Sequence, residues 1–339
     1  MRAMRIAIIS PYSIGPIRGN ITTVNRISSF LRGAGVDILV LPADVFSATE
    51  MERQLISFNP QLIHAFHARY CGGLAEKLAE RFKLPYLLTI TGSDLHDPLL
   101  RNHPDTVRAL AAAQVIVCFH YSEAAMLAGH FPQVAERLTV IPQGVEVLPV
   151  VSAGNFGLPD DAFVLLLPAA LRKVKQVEFP IQALAPLASR IPAMKLVIAG
   201  GVIDKNYANT IYSLLVDAPY AEWLGEIPQE QMGALYSRAD VVLNCSRFES
   251  MPGAIQEAMA LKRPVLASDI AGNRALIQHG DTGLLYQDAD SFIKWVVKLA
   301  DDAGLRAELG RRAGEFVDVA FSPQSEAKKY IDLYQSLIA

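Results

Sequence analysis

VVLNCSRFESMPGAIQE, Val241–Glu257, holds a whole strand–loop–helix unit in one stretch. The apolar run Val241–Asn244 has the length of a strand. A polar loop follows, carrying Arg247, Glu249 and Ser250. Pro252 fits the first turn of a helix, where its missing N–H costs nothing. Gly253 and Ala254 then expose backbone amides at the start of a helix over Gly253–Ala260. Such a terminus attracts phosphate through its free N–H groups and its dipole. Glu257 lies five residues beyond Pro252, about one and a half turns into the helix. Glu249 precedes the helix, so the two carboxylates are not a same-face helical pair. They flank the phosphate-friendly terminus, one from the loop and one from the helix. A carboxylate beside a diphosphate would repel it, so both suit hydrogen bonding to sugar hydroxyls. On spacing alone they fit a solvated loop and a surface helix as well.

The same alternation continues in both directions. Upstream, strand-length apolar runs stand at Ile6–Ile9, Ile38–Leu41, Leu62–Ala65, Tyr86–Ile90 and Val115–Cys118. Helical patterns near Thr23–Arg32, Ala48–Phe58 and Gly73–Arg81 separate the first of them. The pattern restarts with strands at Ala162–Leu167, Lys195–Ala199, Ala221–Leu224, Val241–Asn244, Pro264–Ala267 and Gly283–Tyr286. Helices are expected at Val177–Ala188, Gln229–Ser237, Gly253–Ala260, Ala289–Asp301 and Gln324–Ile338. Continuous apolar runs between periodic segments argue for parallel sheets covered on both faces. The fold class is therefore α/β, with two Rossmann-like doubly wound domains and their ligand sites just after the strands. The joint falls in Pro142–Asp160, rich in Gly and Pro. The expected domains are residues 1–146 with 321–339, and residues 147–320.

Composition narrows the function. The chain has 339 residues, too many for one ordinary core, with 51% hydrophobic and 19% charged residues. A net charge of −3 gives no basic field, which disfavours a nucleic-acid binder. The three cysteines, Cys71, Cys118 and Cys245, form no CxxC pair, and no HExxH or Cys/His cluster suggests a metal. Ile6–Ile9 is too short for a signal-peptide core, and no apolar run reaches the ~18 residues of a transmembrane helix. The expectation is a soluble cytoplasmic protein. Weak membrane-surface association stays open, although the candidate helix GGLAEKLAERFKL carries mixed charge.

Three further stretches place chemistry after strands. Leu171-Arg172-Lys173-Val174-Lys175 sets cations beyond the strand Ala162–Leu167, where a leaving nucleoside diphosphate could be stabilised. A solubilising basic loop would look the same. SPYSIGPIRGN, Ser10–Asn20, ends in Gly19-Asn20 before a helix but lacks GxGxxG, so the dinucleotide fingerprint fails. TITGSDLH gathers Thr91, Ser93, Asp94 and His96 at one strand end, as an ordinary polar turn also would.

Together these features resemble the family 4 glycosyltransferases of GT-B architecture, over nearly the whole chain and most strongly from residue 162 to 287. Glu249 and Glu257 match that family's E-x7-E motif, and Arg172 and Lys175 look like its diphosphate-binding pair. Gly200-Gly201, WLGEIPQEQM, SDIAGNRALIQHGDTGLLY and VIPQGVE fall in the same order. LRKVK, SDIAGN and TGSDL are similar to glycosyltransferase 1 domain-containing proteins and bacterial selenosugar synthases. The resemblance implies two domains facing a cleft, the first on the acceptor side and the second binding a nucleotide-sugar donor. Glu257 would hold the ribose and Glu249 the donor sugar. Arg172 and Lys175 would neutralise the diphosphate, helped by Ser250, Met251, Pro252, Gly253 and Ala254. Gly19 would approach the phosphate, and Glu226 would lie near the base. Asn20, Thr91, Asp94 and His96 are candidate acceptor or sugar contacts.

The implied reaction is retaining transfer from a nucleoside-diphosphate sugar, UDP first, to an acceptor the sequence does not identify. The implied enzyme is a hexosyltransferase with no metal and no cofactor beyond the nucleotide-sugar co-substrate. Two departures stand out: Thr91-Gly92 replaces the family's His-Gly pair, and Arg172 and Lys175 are closer in sequence than is usual. Asp94 and His96 are the candidate substitutes for that histidine. The alternatives are a nucleotide-sugar epimerase of the same architecture and a catalytically silent sugar-nucleotide-binding subunit.

Overall fold

The continuous burial of the first strand shows how the fold is built. In the computed structural model, which describes residues 3–13, 19–151 and 156–339, β1 spans Arg5–Ser10. Ile6 and Ile8 join one hydrophobic cluster, and Ala7 and Ile9 join another. Successive side chains point to opposite faces of a strand, so an unbroken apolar run needs cover on both. That cover comes from Val24, Ile27 and Leu31 of the helix Gly19–Gly33 on one face, and from Met51, Leu55 and Leu78 on the other.

The first sheet continues with β2 (Asp37–Pro42), β3 (Leu62–Phe66), β4 (Tyr86–Thr89), β5 (Val115–Cys118) and β6 (Leu138–Val140). Its order is β2-β1-β3-β4-β5-β6, with every pair parallel. The second sheet contains β7 (Phe163–Pro168), β8 (Met194–Ala199), β9 (Ala221–Trp223), β10 (Val241–Asn244), β11 (Val265–Ser268) and β12 (Leu284–Tyr286). Its order is β12-β11-β10-β7-β8-β9, again all parallel. The chain divides into two compact units, Met1–Gly144 with Phe321–Ala339, and Val145–Ala320. The two doubly wound sheets are the expected α/β, Rossmann-like GT-B fold class.

The C-terminal helix Pro323–Ile338 belongs to the first unit. Its Tyr330 and Tyr334 are fully buried in the Ile6/Ile8 cluster. Arg26 and Glu326 form a buried ion pair at 3.1 Å between the first and last helices. His64 Nδ1 lies 2.8 Å from the Tyr334 hydroxyl, and its Nε2 lies 2.7 Å from Thr89 Oγ1. Gly144 meets Pro323 so closely that a Cβ there would stand 2.6 Å from the Pro323 Cα.

The structure differs from the sequence reading in several places, among them the helices Pro104–Ala112, Tyr121–His130 and Lys205–Val216, which were not anticipated. The helix expected over Val177–Ala188 is a short helix, Glu178–Ala183, followed by a 3₁₀ turn, Ala185–Leu187. Pro186 removes an N–H and crowds the carbonyl four residues back, which stops an α-helix. The 18-residue helix Ala303–Ala320 was not anticipated. Gly310 and Gly314 let it lie against Met259 and Lys262, at the end of the helix that carries Glu257. The edge strand β6, only three residues long, also escaped notice. Residues 14–18 of the candidate loop Ser10–Asn20, and 152–155 of the expected joint, lie outside the described residues.

Candidate active site

Strand order reverses between β7 and β10. The chain moves from β7 outward to β8 and β9, then returns to the other side of β7. Ligands of open parallel sheets bind beyond the carboxyl ends of the strands at such a reversal. The basic segment follows β7 and the Arg247–Glu249 loop follows β10, so the fold brings these two motifs together.

Their backbones are tied. Arg247 N donates to Val174 O at 2.9 Å. Leu171 N donates to Gly201 O at 2.9 Å, which joins the basic segment to the glycine pair after β8. Gly200 is needed there because a Cβ would stand 2.3 Å from the Ala169 carbonyl oxygen. Arg172 is extended and exposed, and among the described residues its guanidinium meets no ion-pair partner. Lys173–Lys175 form one 3₁₀ turn closed by Gln176 at φ 47°, which turns Lys175 back.

Lys175 Nζ lies 2.5 Å from Glu249 Oε1, with side chains 18% and 12% exposed. Ser246 Oγ donates to the same oxygen at 2.6 Å, and Asn244 Nδ2 at 3.2 Å. Burial pushes the Glu249 carboxyl up, but Lys175, Ser246 and Asn244 outweigh it and hold the carboxyl below its ordinary value. Glu249 is therefore a carboxylate, an acceptor beside a cation.

Pro252 takes the N-cap of the helix Gly253–Ala260 rather than its first turn, and no side chain caps that helix. The amides of Gly253 and Ala254 thus open the helix. Ser250 is buried beside them, and among the described residues its Oγ has no hydrogen-bond partner. Met251 is buried, and its sulfur accepts from Gln256 Nε2 at 3.6 Å. Glu257 is held from the neighbouring helix Gln229–Arg238. Tyr236 Oη donates to its Oε2 at 2.8 Å, and Gln229 Nε2 to its Oε1 at 3.2 Å. Burial, reinforced by Glu257, pushes the Tyr236 phenol well up, so it stays a donor. Glu226 is exposed in the loop after β9, next to Gly225, whose carbonyl accepts from Gly200 N at 2.7 Å.

The remaining candidates lie in the first unit. Gly19 and Asn20 open the helix Gly19–Gly33. Asp94 is buried and accepts from Ala68 N at 2.8 Å, Thr91 N at 3.0 Å and Gly92 N at 2.9 Å. Thr91 Oγ1 is shut off from solvent without a partner among the described residues. The mostly buried His96 stands with its Nε2 3.8 Å from Glu123 Oε1. His67, which the sequence reading passed over, holds φ 74° and places Nε2 3.0 Å from Ser93 Oγ. Asn244, Ser246, Gln229 and Tyr236 were also passed over. Gln229 lies in the quoted stretch WLGEIPQEQM, and Tyr236 lies in the helix that follows it.

Residues 162–302 match the sequence family described as Glycosyl transferases group 1. The chain carries a glycosyl transferases group 1 domain. Over 94% of its length the chain is 28% identical to 94% of glycosyltransferase 1 domain-containing protein 1 of Xenopus tropicalis. Its fold is similar to that of sucrose-phosphate synthase from Thermosynechococcus elongatus, with TM-score 0.84 and 20% identity over 98% of this chain and 99% of that one. It is also similar to Anabaena HepE in complex with UDP and glucose, with TM-score 0.81 and 16% identity over 98% of this chain and 100% of that one.

Proposed function

We propose that this glycosyltransferase moves a sugar from a UDP-sugar to an acceptor, with retention at the anomeric carbon. The observation that carries the reading is the Lys175–Glu249 pair across the β7/β10 reversal, beside an uncapped helix terminus. That arrangement offers cations and amides to a diphosphate and a carboxylate to a sugar, side by side. The fold it shares with a structure holding UDP and glucose supports UDP as the nucleotide.

In the proposed reaction the bond from the anomeric carbon to the diphosphate oxygen breaks as the acceptor oxygen bonds to that carbon from the same face. The acceptor proton passes to the leaving phosphate oxygen. Arg172, Lys175 and the amides of Gly253 and Ala254 stabilise the charge that develops on the diphosphate. Glu249 accepts from the sugar, and Glu257 accepts from the ribose. The residue types favour transfer over hydrolysis by paired carboxylates, because Glu249 is kept ionised by Lys175 and is unsuited to act as a general acid.

A thermal-shift panel of UDP-, GDP- and ADP-sugars tests the donor assignment. A ligand at about a hundred times its dissociation constant adds about 2.7 kcal/mol of stability. The expected result is a rise in melting temperature with UDP-sugars above the other two. No rise with any donor overturns the reading.

A further inference from the structure

The segment Asp269–Asn273 follows β11, whose last residue is Ser268. Gly272 packs against the proposed donor site from behind, where a Cβ would stand 2.2 Å from the Glu249 carbonyl oxygen. The next residue, Asn273, is fully buried. Its Nδ2 lies 2.8 Å from Ser268 O, 3.1 Å from Ser268 Oγ and 3.2 Å from Asn244 Oδ1.

These contacts have a direction. A backbone carbonyl can only accept, so Asn273 must turn its NH2 toward Ser268 O. The Ser268 hydroxyl donates to Ser246 O at 2.7 Å, which leaves its lone pair facing Asn273. The same NH2 group then faces Asn244, which must answer with its oxygen. Ser246 N also donates to Asn244 Oδ1, at 3.2 Å, and fixes the same orientation. The Asn244 NH2 is thereby aimed at Glu249 Oε1, 3.2 Å away. Lys175, Ser246 and Asn244 all converge on Oε1. No described group donates to Oε2.

We propose that Asn273 and Asn244 form a positioning relay that fixes the Glu249 carboxylate with Oε1 inward and Oε2 toward the donor sugar. This rests on the donor reading above. The relay explains why a polar amide stands at the end of β10, where the rest of the strand is apolar and buried. It also frees Lys175 to serve the diphosphate: when Lys175 swings to an incoming phosphate, two neutral donors still hold Glu249 in place. Asn244 and Asn273 are positioning residues, and they act on the sugar end of the donor rather than its nucleotide end.

Two measurements test the relay. The first uses the ligand-free chain and a double-mutant cycle of Asn273→Ala with Glu249→Gln, read as melting temperature. Coupled groups give non-additive losses, so the combined loss should fall short of the sum of the two single losses. Additive losses overturn the relay. The second compares UDP with UDP-glucose in Asn273→Ala and in the isosteric Asn273→Asp, which keeps the volume and loses the donor. UDP affinity should stay within about twofold of the parent, while kcat/KM for UDP-glucose falls at least tenfold, mostly in kcat. Equal losses for UDP and UDP-glucose, or unchanged turnover, overturn the relay. If the parent chain bound no nucleotide sugar, the donor reading would fail while the ligand-free cycle still decided the relay.

Discussion

One cluster of strand-end amides in each unit is treated in opposite ways. In the first, the amides of Ala68, Thr91 and Gly92, beyond β3 and β4, all donate to Asp94, a carboxylate of the chain itself. In the second, the helix Gly253–Ala260 begins without a side-chain cap, beside buried Ser250. Amides that already hold an internal anion have no capacity for an external one, whereas an uncapped terminus retains it. The contrast extends to charge pairs. Arg26 and Glu326 are sealed in the first unit's core with 7% and 2% exposure, but Lys175 and Glu249 keep 18% and 12%. The first pair is architecture, joining the last helix to the first. The second pair stays partly open to solvent.

The sharpest break in this comparison should come from Glu326→Ala. Leaving Arg26 buried and unpaired costs about 3–5 kcal/mol. Denaturant unfolding should show that loss, while UDP binding measured well below the transition stays near the parent value. Replacing both partners with apolar residues, Arg26→Met with Glu326→Leu, should restore most of the stability. A severe loss of UDP affinity in either variant would blur the division between the two units.

Next in size is Arg172→Ala or Lys175→Ala. On the proposed reading each removes a donor to the leaving diphosphate, worth about 2.7–4 kcal/mol at the transition state. Turnover should fall at least a hundredfold in steady-state assays, with little change in unfolding for Arg172→Ala. Near-parent turnover in both variants would remove the diphosphate role.

The smallest effect concerns acid. Burial lowers the His64 pKa well below its ordinary value, so the folded chain keeps that imidazole neutral. The unfolded chain binds the proton below about pH 6.5, and stability falls as pH drops from there toward the folded pKa. The loss is at most about 1.4 kcal/mol per pH unit. His64→Gln should flatten this part of the stability profile. Glu249, whose pKa is lowered, contributes stability that disappears only at pH below the usual carboxylate range. The two units should therefore answer acid in different windows.

Much of this was legible beforehand because parallel strands buried on both faces leave a strong trace. The runs Val115–Cys118 and Val241–Asn244 and the helices Ala48–Phe58, Gly253–Ala260 and Ala289–Asp301 were read with the boundaries the structure has. Their caps are local: Ser47 and Asp288 form capping boxes with residues three positions on. Proline in the second unit misled the reading, because apolar periodicity over Val177–Ala188 hid the break at Pro186. The basic segment and the E-x7-E motif were visible as residue types, but their partnership was not. Glu249 is 74 positions from Lys175, and Glu257 finds its partners 21 and 28 positions away. No local pattern encodes those distances.

The sequence by itself determined two doubly wound α/β units, because continuous apolar runs and helical periodicity are properties of neighbouring residues. It also determined the order of the motifs, and hence the likeness to glycosyltransferases. Only the tertiary structure decided which polar residues are spent. Asp94 stood in the sequence as a candidate acceptor or sugar contact, and the fold has it accept from three backbone amides. Asn244 and Asn273 were visible only as a strand end and as part of the SDIAGN stretch, and the fold links them to each other and to Glu249. The physical reason is that a polar group's role depends on which donors and acceptors surround it, and folding brings those from strands far apart in the chain.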